Sequence, residues 1–135
     1  MRARVAVAAA LVFRAGRVLI CQRKKGTFMA GYWEFPGGKC EKGETYRQAV
    51  QRELKEEFDI KASGLKTYKA MWVHYEGKPP CRLQFFKGSL RQGKARSMEN
   101  QKFKWEKPSR LGRYKFLPAD LGLVKKLNRL PKSPK

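Results

Sequence analysis

Residues 38–60, GKCEKGETYRQAVQRELKEEFDI, decide how the rest of the chain is read. The second half of this stretch has the pattern of an amphipathic helix over about 45–58. Thr45 is placed to cap it, because its hydroxyl can accept a bond from a free N–H of the first turn. Val50, Leu54 and Phe58 recur at i, i+4, i+8 and form one apolar stripe. Glu53, Glu56 and Glu57 fall at i, i+3, i+4 and form a separate acidic stripe. Carboxylates crowded in this way repel one another unless a cation sits among them. Hard divalent ions take oxygen ligands, and Mg²⁺ held by carboxylates together with substrate phosphates is the common arrangement. A helix with these residues alone would equally serve as a solvated face, with Arg52 and Lys55 offsetting the repulsion.

The flanks add to the helix. Read outward, the stretch is Gly38, five residues, Glu44, seven residues, then Arg52-Glu53-Leu54-x-Glu56-Glu57-x-Asp59-Ile60. This resembles the Nudix box, the loop–helix–loop motif of the Nudix hydrolases, at eight of its nine specified positions. The departure is Asp59, where the family has Gly. A left-handed residue is expected there, and Asp adopts that conformation at a modest cost.

The chain has 135 residues and a formal net charge of +21. Its length fits one domain with its own core; we expect a single domain over residues 1–130 and a frayed basic tail over 131–135. Residues 1–60 carry 12 basic and 7 acidic groups, and residues 61–135 carry 20 and 4. The early acids are Glu34 and six residues between Glu41 and Asp59, so acid gathers around the box inside a basic shell. That distribution suits a polyanionic substrate held through a metal ion, or non-specific binding of nucleic acid. A charge that serves only solubility stays open as well. Cys21, Cys40 and Cys81 are scattered and lack metal-ligand spacing, which fits free thiols in a reducing compartment and a cytoplasmic location. No segment approaches the about 18 apolar residues of a membrane span. The N-terminus, MRARVAVAAALVF, imitates a signal peptide, but it runs through a Gly turn into Val18-Leu19-Ile20-Cys21 and reads as the first strand of a hairpin.

Along the chain, strands are expected at 3–13, 17–23, 32–35, 64–75, 81–90 and 103–105. Pro36-Gly37-Gly38 is expected to stop the third of them. Residues 24–31 read as a basic loop, 76–80 as a turn and 92–101 as a polar loop. A short helical turn follows Lys107, and Pro118-Ala119-Asp120 opens a last helix through about Leu130. Strands and helices alternate around one core, so the class is α/β with a mixed sheet between helices. The resemblance implies the Nudix α/β/α sandwich with its catalytic loop–helix–loop.

The resemblance covers roughly residues 3–127 and points to a subgroup. Gln22-Arg23 and Trp33-Glu34-Phe35-Pro36-Gly37-Gly38-Lys39 look like the approach to the box in MutT-type and CTP-pyrophosphohydrolase-type proteins. Glu99-Asn100-Gln101, then Trp105, and Phe116-Leu117-Pro118-Ala119-Asp120 are similar to later segments of the same proteins. The implied reaction is Mg²⁺-dependent hydrolysis of a nucleoside triphosphate to a monophosphate and pyrophosphate, with Mn²⁺ as a substitute. The substrates implied are (d)NTPs of C or G type, oxidised forms such as 8-oxo-dGTP included. In that reading Glu53, Glu56 and Glu57 are metal ligands, joined by a backbone carbonyl of Gly37 or Gly38. Glu44 is a metal or water partner and Arg52 orients a glutamate. Glu53 and Glu99 are the candidate bases, while Arg23 and Lys39 contact phosphate.

Base recognition falls to Asp120, Phe28 and Tyr75, with His74 and Phe85 as further walls of the pocket; His74 is assigned no chemistry. Asp120 is open to two readings, a helix cap or a reader of the base edge. An ionised carboxylate only accepts hydrogen bonds, which would rank C and G nucleotides above U and T; a site shielded by Leu117 and Leu121 would raise its pKa, and a protonated Asp120 could donate and blur that ranking. RNA 5′-triphosphate pyrophosphohydrolysis, favoured by the basic C-terminal half, is the alternative activity. A catalytically idle Nudix-fold nucleic-acid binder is the third reading, and the intact glutamates speak against it. No obligate protein partner is evident.

Overall fold

The sheet is built outward from β1 (Val5–Arg14). A computed structural model describes residues 5–129; the start of the expected first strand, Leu130 of the expected last helix and the tail 131–135 lie outside them. One edge of β1 pairs in parallel with β6 (Cys81–Ser89) over its whole length, from Val5↔Cys81 to Phe13↔Ser89. The other edge is shared. Near its end β1 forms a hairpin with β2 (Arg17–Gln22), through an Ala15-Gly16 turn in which both residues have positive φ. Such two-residue turns match the twist of the flanking strands. Near its start β1 pairs with β4 (Gly37–Lys39).

That last pairing corrects an expectation. Pro36-Gly37-Gly38 does not end the strand region; after β3 (Trp33–Glu34) it runs on as β4, antiparallel to β1. The physical reason is the missing side chain. A Cβ on Gly37 would lie 2.1 Å from the Ala8 carbonyl oxygen, so only glycine lets the two backbones approach. β5 (Ser63–Val73) closes one edge of the sheet against β6, and β7 (Phe103–Glu106) pairs with β2. With one parallel pair among antiparallel ones, the sheet is mixed, as expected.

Alternation along β1 feeds two cores. Ala8, Ala10 and Val12 face α1 (Tyr46–Phe58), which buries Ala49, Val50, Leu54 and Phe58 against them. Ala9 and Leu11 face the other way, toward Leu111 in the 3₁₀ turn Pro108–Arg113 and Leu123, Val124 and Leu127 of α2 (Leu121–Asn128). The result is an α/β/α sandwich. Among the described residues no helix is long and apolar enough to cross a membrane.

The ends of α1 explain why it starts and stops where it does. Gln48 N–H donates to Thr45 Oγ1 at 3.0 Å, and Thr45 N–H donates back to Gln48 Oε1 at 2.9 Å. This capping box satisfies two donors, and a cap of this kind is worth about 1 kcal/mol. Sequence reading named Thr45 and overlooked Gln48. At the other end Asp59 takes the left-handed conformation, φ 56° and ψ 42°. Its N–H donates to Lys55 O, the bond of an αL stop made without glycine, and the N–H of buried Ile60 reaches back to Leu54 O. The Asp59 carboxylate is held by Lys55 and Arg96.

Candidate active site

The box places its acids on the inward side of α1, beneath β4. Gly38 lies so close to Glu53 that a Cβ there would meet Glu53 Oε2 at 2.3 Å. Arg52 knits the neighbouring carboxylates together. Its Nε and Nη2 donate to the two oxygens of Glu44 at 2.7 and 2.9 Å. Its Nη1 reaches Glu53 Oε2 and Glu56 Oε1, both at 3.1 Å, and Nη2 also reaches Lys39 O at 2.9 Å. The guanidinium therefore faces carboxylates on three sides, and Glu44 meets the acidic stripe through it. Glu44 is held below the ordinary carboxylate range by these bonds from Arg52 and by the Glu41 N–H.

Glu53 and Glu57 form the inner pair, and Glu56 turns outward to Arg52 with half its side chain exposed. The Glu57 carboxyl is pushed up to about 9, first by burial, then by the charges of Glu53 and Glu34. Burial also raises Glu53, against the pull of Arg52. Glu57 Oε1 is buried and accepts no hydrogen bond, and the carboxyl's side-chain partner is Glu53. A buried oxygen left unpaired is costly; a proton shared with Glu53 or a cation relieves it. Among the described residues no three His, Cys, Asp or Glu side chains already stand close enough together to hold a metal ion. An all-oxygen set with one free buried ligand atom nevertheless fits a hard divalent cation that keeps positions for substrate and water.

The polar loop docks on the C-terminus of α1. Arg96 N–H donates to Phe58 O and Met98 N–H to Glu57 O, at 3.0 and 2.9 Å. These bonds satisfy two of the helix's last carbonyls. They also bring Glu99 near enough for its charge to act on Glu57. Glu99 itself is exposed.

Beside the acids opens a pocket of about 350 Å³. Gly37, Gly38 and Lys39 form the wall nearest the box, and Arg23, Phe28, Tyr75 and Asp120 are among the other lining residues. Phe28 meets Tyr75 edge to face, 5.5 Å between centroids, and Tyr75 Oη accepts the Ala119 N–H at 3.0 Å. Arg23 Nη1 bonds Glu34 at 3.1 Å, and its Nε donates to Phe28 O at 2.6 Å. Of the two further walls expected, Phe85 instead lies fully buried beneath the pocket against Phe35, and His74 does not line it.

Asp120 makes no capping bond to α2. Its side chain is buried in the pocket wall, carried there by the 3₁₀ turn Pro118–Asp120. That turn is positioned because residues 115–117 run beside β3: Trp33 N–H donates to Lys115 O and Leu117 N–H to Trp33 O. Burial, then the Glu34 charge, pushes Asp120 up to about 8. Burial thus favours the protonated form, which can donate as well as accept. The acceptor-only ranking of bases requires the ionised form.

Two lining residues escaped the sequence reading. Glu34 stands between Arg23 and the acids, raised by burial more than Arg23 lowers it, and its charge reaches both Glu57 and Asp120. Its signal was an acid inside the apolar run Trp33-Glu34-Phe35. Lys78, whose ammonium sits 4.6 Å from the Phe28 ring centre, lies in a turn of unremarkable composition.

Comparison with known proteins agrees with this arrangement. The profile of the NUDIX domain matches residues 2–127. The CTP pyrophosphohydrolase of Escherichia coli is 34% identical over 120 residues, covering 89% of this chain and 88% of that protein. The 8-oxo-dGTP diphosphatase of the same organism is 33% identical over 113 residues, covering 84% and 87%. Among solved structures, one from a study of MutT from Aliivibrio salmonicida and Vibrio cholerae superposes with a TM-score of 0.80 at 28% identity, covering 93% of this chain and 98% of its own. With the box in place under β4 and the profile matched over nearly the whole chain, the protein belongs to the Nudix hydrolases.

Proposed function

We propose that the protein is a divalent-cation-dependent pyrophosphohydrolase of nucleoside triphosphates, with Mg²⁺ as the working ion and C- or G-type nucleotides, oxidised or not, as substrates. The observation that carries this reading is the unpaired, buried Glu57 Oε1 beside Glu53, which Gly38 separates from a pocket with an aromatic wall. The relatives named for CTP and 8-oxo-dGTP support the substrate class.

Glu53, Glu56 and Glu57, with the carbonyl of Gly37 or Gly38, are the residues that would hold the ion. When bound, the ion supplies neutralisation of phosphate charge and acidification of water. The remaining steps fall to the chain. Phe28 and Tyr75 stack on the base, and Asp120 reads its edge. Lys39 and Arg23 face the phosphates. Arg52 positions Glu53 and Glu56, and Glu44 holds Arg52 in register. Water attacks a phosphorus, the phosphoanhydride bond breaks, pyrophosphate leaves and a carboxylate takes the water's proton. Glu53 is the better base of the two candidates, because Glu99 is exposed on its loop.

A neutral Asp120 offers one O–H donor and one acceptor oxygen, which matches both cytosine (amine and N3) and guanine (N1–H and O6). Uracil and thymine also present a donor beside an acceptor, so Asp120 alone does not reject them. The test is pyrophosphate release from CTP, dCTP, dGTP, 8-oxo-dGTP, UTP, dTTP and 5′-triphosphate RNA, with Mg²⁺ and with chelator. Turnover of free C or G nucleotides only with the ion is expected. Turnover of RNA alone would move the assignment to the RNA 5′ end, and none at all would sink the enzyme reading.

A further inference from the structure

A second concavity lies against the first. It is an open groove of about 660 Å³ between the end of β2 and the residues leading into β7. Arg23, Lys24 and Lys25 form one wall, and Asn100, Gln101 and Lys102 form the other. Arg23 lines both the groove and the pocket. Among the described residues no Asp or Glu lines the groove.

The walls are fixed by backbone. Gln22 N–H donates to Lys102 O at 2.9 Å, continuing the β2–β7 ladder from Cys21↔Phe103. Gly31 N–H donates to Arg23 O at 2.9 Å and closes the basic loop upon itself. The groove is thus formed before any ligand arrives.

Several cations elsewhere on the chain have partners. Lys55 and Arg96 are neutralised by Asp59. Lys78, Lys115 and Lys126 sit over aromatic rings. Among the described residues Lys24, Lys25 and Lys102 have no carboxylate or ring partner. A general excess of charge for solubility spreads over convex surface, where like charges are far apart. Gathered in a concavity, they focus the potential and attract anions. Neutral amides beside them add hydrogen bonds to oxygen without adding repulsion.

We propose that this groove is a second anion site, and that it takes phosphate groups lying beyond the nucleotide bound in the pocket. The proposal rests on the pocket being the nucleotide site. Two sources present that chemistry: the distal phosphates of a polyphosphate chain, or the phosphodiesters of a single strand.

The test uses the whole chain with Lys24→Gln, Lys25→Gln and Lys102→Gln combined. These side chains are exposed and take no part in the reaction, so melting temperature and kcat/KM on free nucleotide should match wild type. Binding is titrated without metal, in about 50 mM salt, using inorganic tripolyphosphate and a 5′-hydroxyl oligonucleotide of about ten nucleotides. We expect at least a tenfold loss of affinity for one probe, and the probe affected names the source. For the oligonucleotide, the slope of log affinity against log salt should flatten by about 2, at about 0.7 per lost phosphate contact. Equal affinities in wild type and variant, or no binding of either probe by wild type, overturn the proposal. Binding is read without catalysis, so the two readings fail separately. Lysine-dependent binding without nucleotide hydrolysis would sink only the activity; hydrolysis with lysine-independent binding would sink only the groove.

Discussion

The acidic cluster and the pocket beside it are built in different ways. The cluster comes from one contiguous stretch: Glu44, Arg52, Glu53, Glu56 and Glu57 lie within 14 residues, and helix geometry alone brings the last four together. The base end is assembled from Arg23 and Phe28 after β2, Tyr75 after β5 and Asp120 before α2. Local rules position the first; only the tertiary fold positions the second. Burial pushes up one acid at each, Glu57 in the cluster and Asp120 in the pocket, while Arg52 ties Glu44, Glu53 and Glu56.

The largest effect expected from breaking this contrast is at the acidic end. Glu57→Gln keeps size and helix propensity but removes the free ligand oxygen's charge. Activity should fall at least ~100-fold, the scale of a disturbed metal site, while the melting temperature holds or rises because a buried acid has gone. Near wild-type turnover would remove Glu57 from the site.

At the base end the effect should be on base binding and not on chemistry. Asp120→Asn keeps a donor and an acceptor and should leave kcat/KM largely unchanged. Asp120→Ala leaves the base edge unpaired and should lower kcat/KM for C and G nucleotides alike by about 10- to 100-fold. An unchanged kcat/KM in the alanine variant would send base reading elsewhere.

Proton linkage sharpens the comparison further. Below pH 9 a cation must displace a proton from Glu57, whose folded value is about 9. Affinity for the ion should rise up to about tenfold per pH unit between 6 and 8, with proton release. A flat titration would contradict the shared charge at this end. Asp120 acts on folding instead. Its folded value of about 8 lies above its ordinary 3.8, so its contribution is full below about pH 4 and is lost as pH rises through 8. Wild type should therefore lose melting temperature from pH 6 to 9 relative to Asp120→Asn. Parallel curves for the two would mean that Asp120 is charged in the fold.

The smallest effect belongs to Asp59→Gly. Glycine removes the left-handed cost but also the ties to Lys55 and Arg96. The net change in stability should stay within about 0.5 kcal/mol.

These same differences decide what the sequence could tell. The α1 helix, its Thr45 cap, its apolar stripe and the left-handed Asp59 were legible because each depends on neighbours within about a turn. The hairpin and the mixed sheet followed from strand patterning. The strand Gly37–Lys39 was not legible, because a Gly-rich run reads as a stop until a partner backbone is known to lie against it. Phe85 shares its face of β6 with Cys81 and Leu83, which line the pocket, but lies further along the strand and is covered by Phe35. A raised Asp120 was expected from its neighbours Leu117 and Leu121, but Leu121 is exposed and the burial comes with the fold. Glu99 looked like an isolated acid on a loop until that loop was found docked on the last carbonyls of α1.

The most direct test of the central claim is the product analysis of one turnover mixture. The protein is incubated with Mg²⁺ and CTP or dGTP in ¹⁸O-labelled water, and the products are separated and weighed by mass spectrometry. The account predicts nucleoside monophosphate and pyrophosphate in equal amounts, with one ¹⁸O in one of the two and loss of both products in Glu57→Gln. Nucleoside diphosphate with inorganic phosphate, or turnover that survives both chelation and Glu57→Gln, would contradict it.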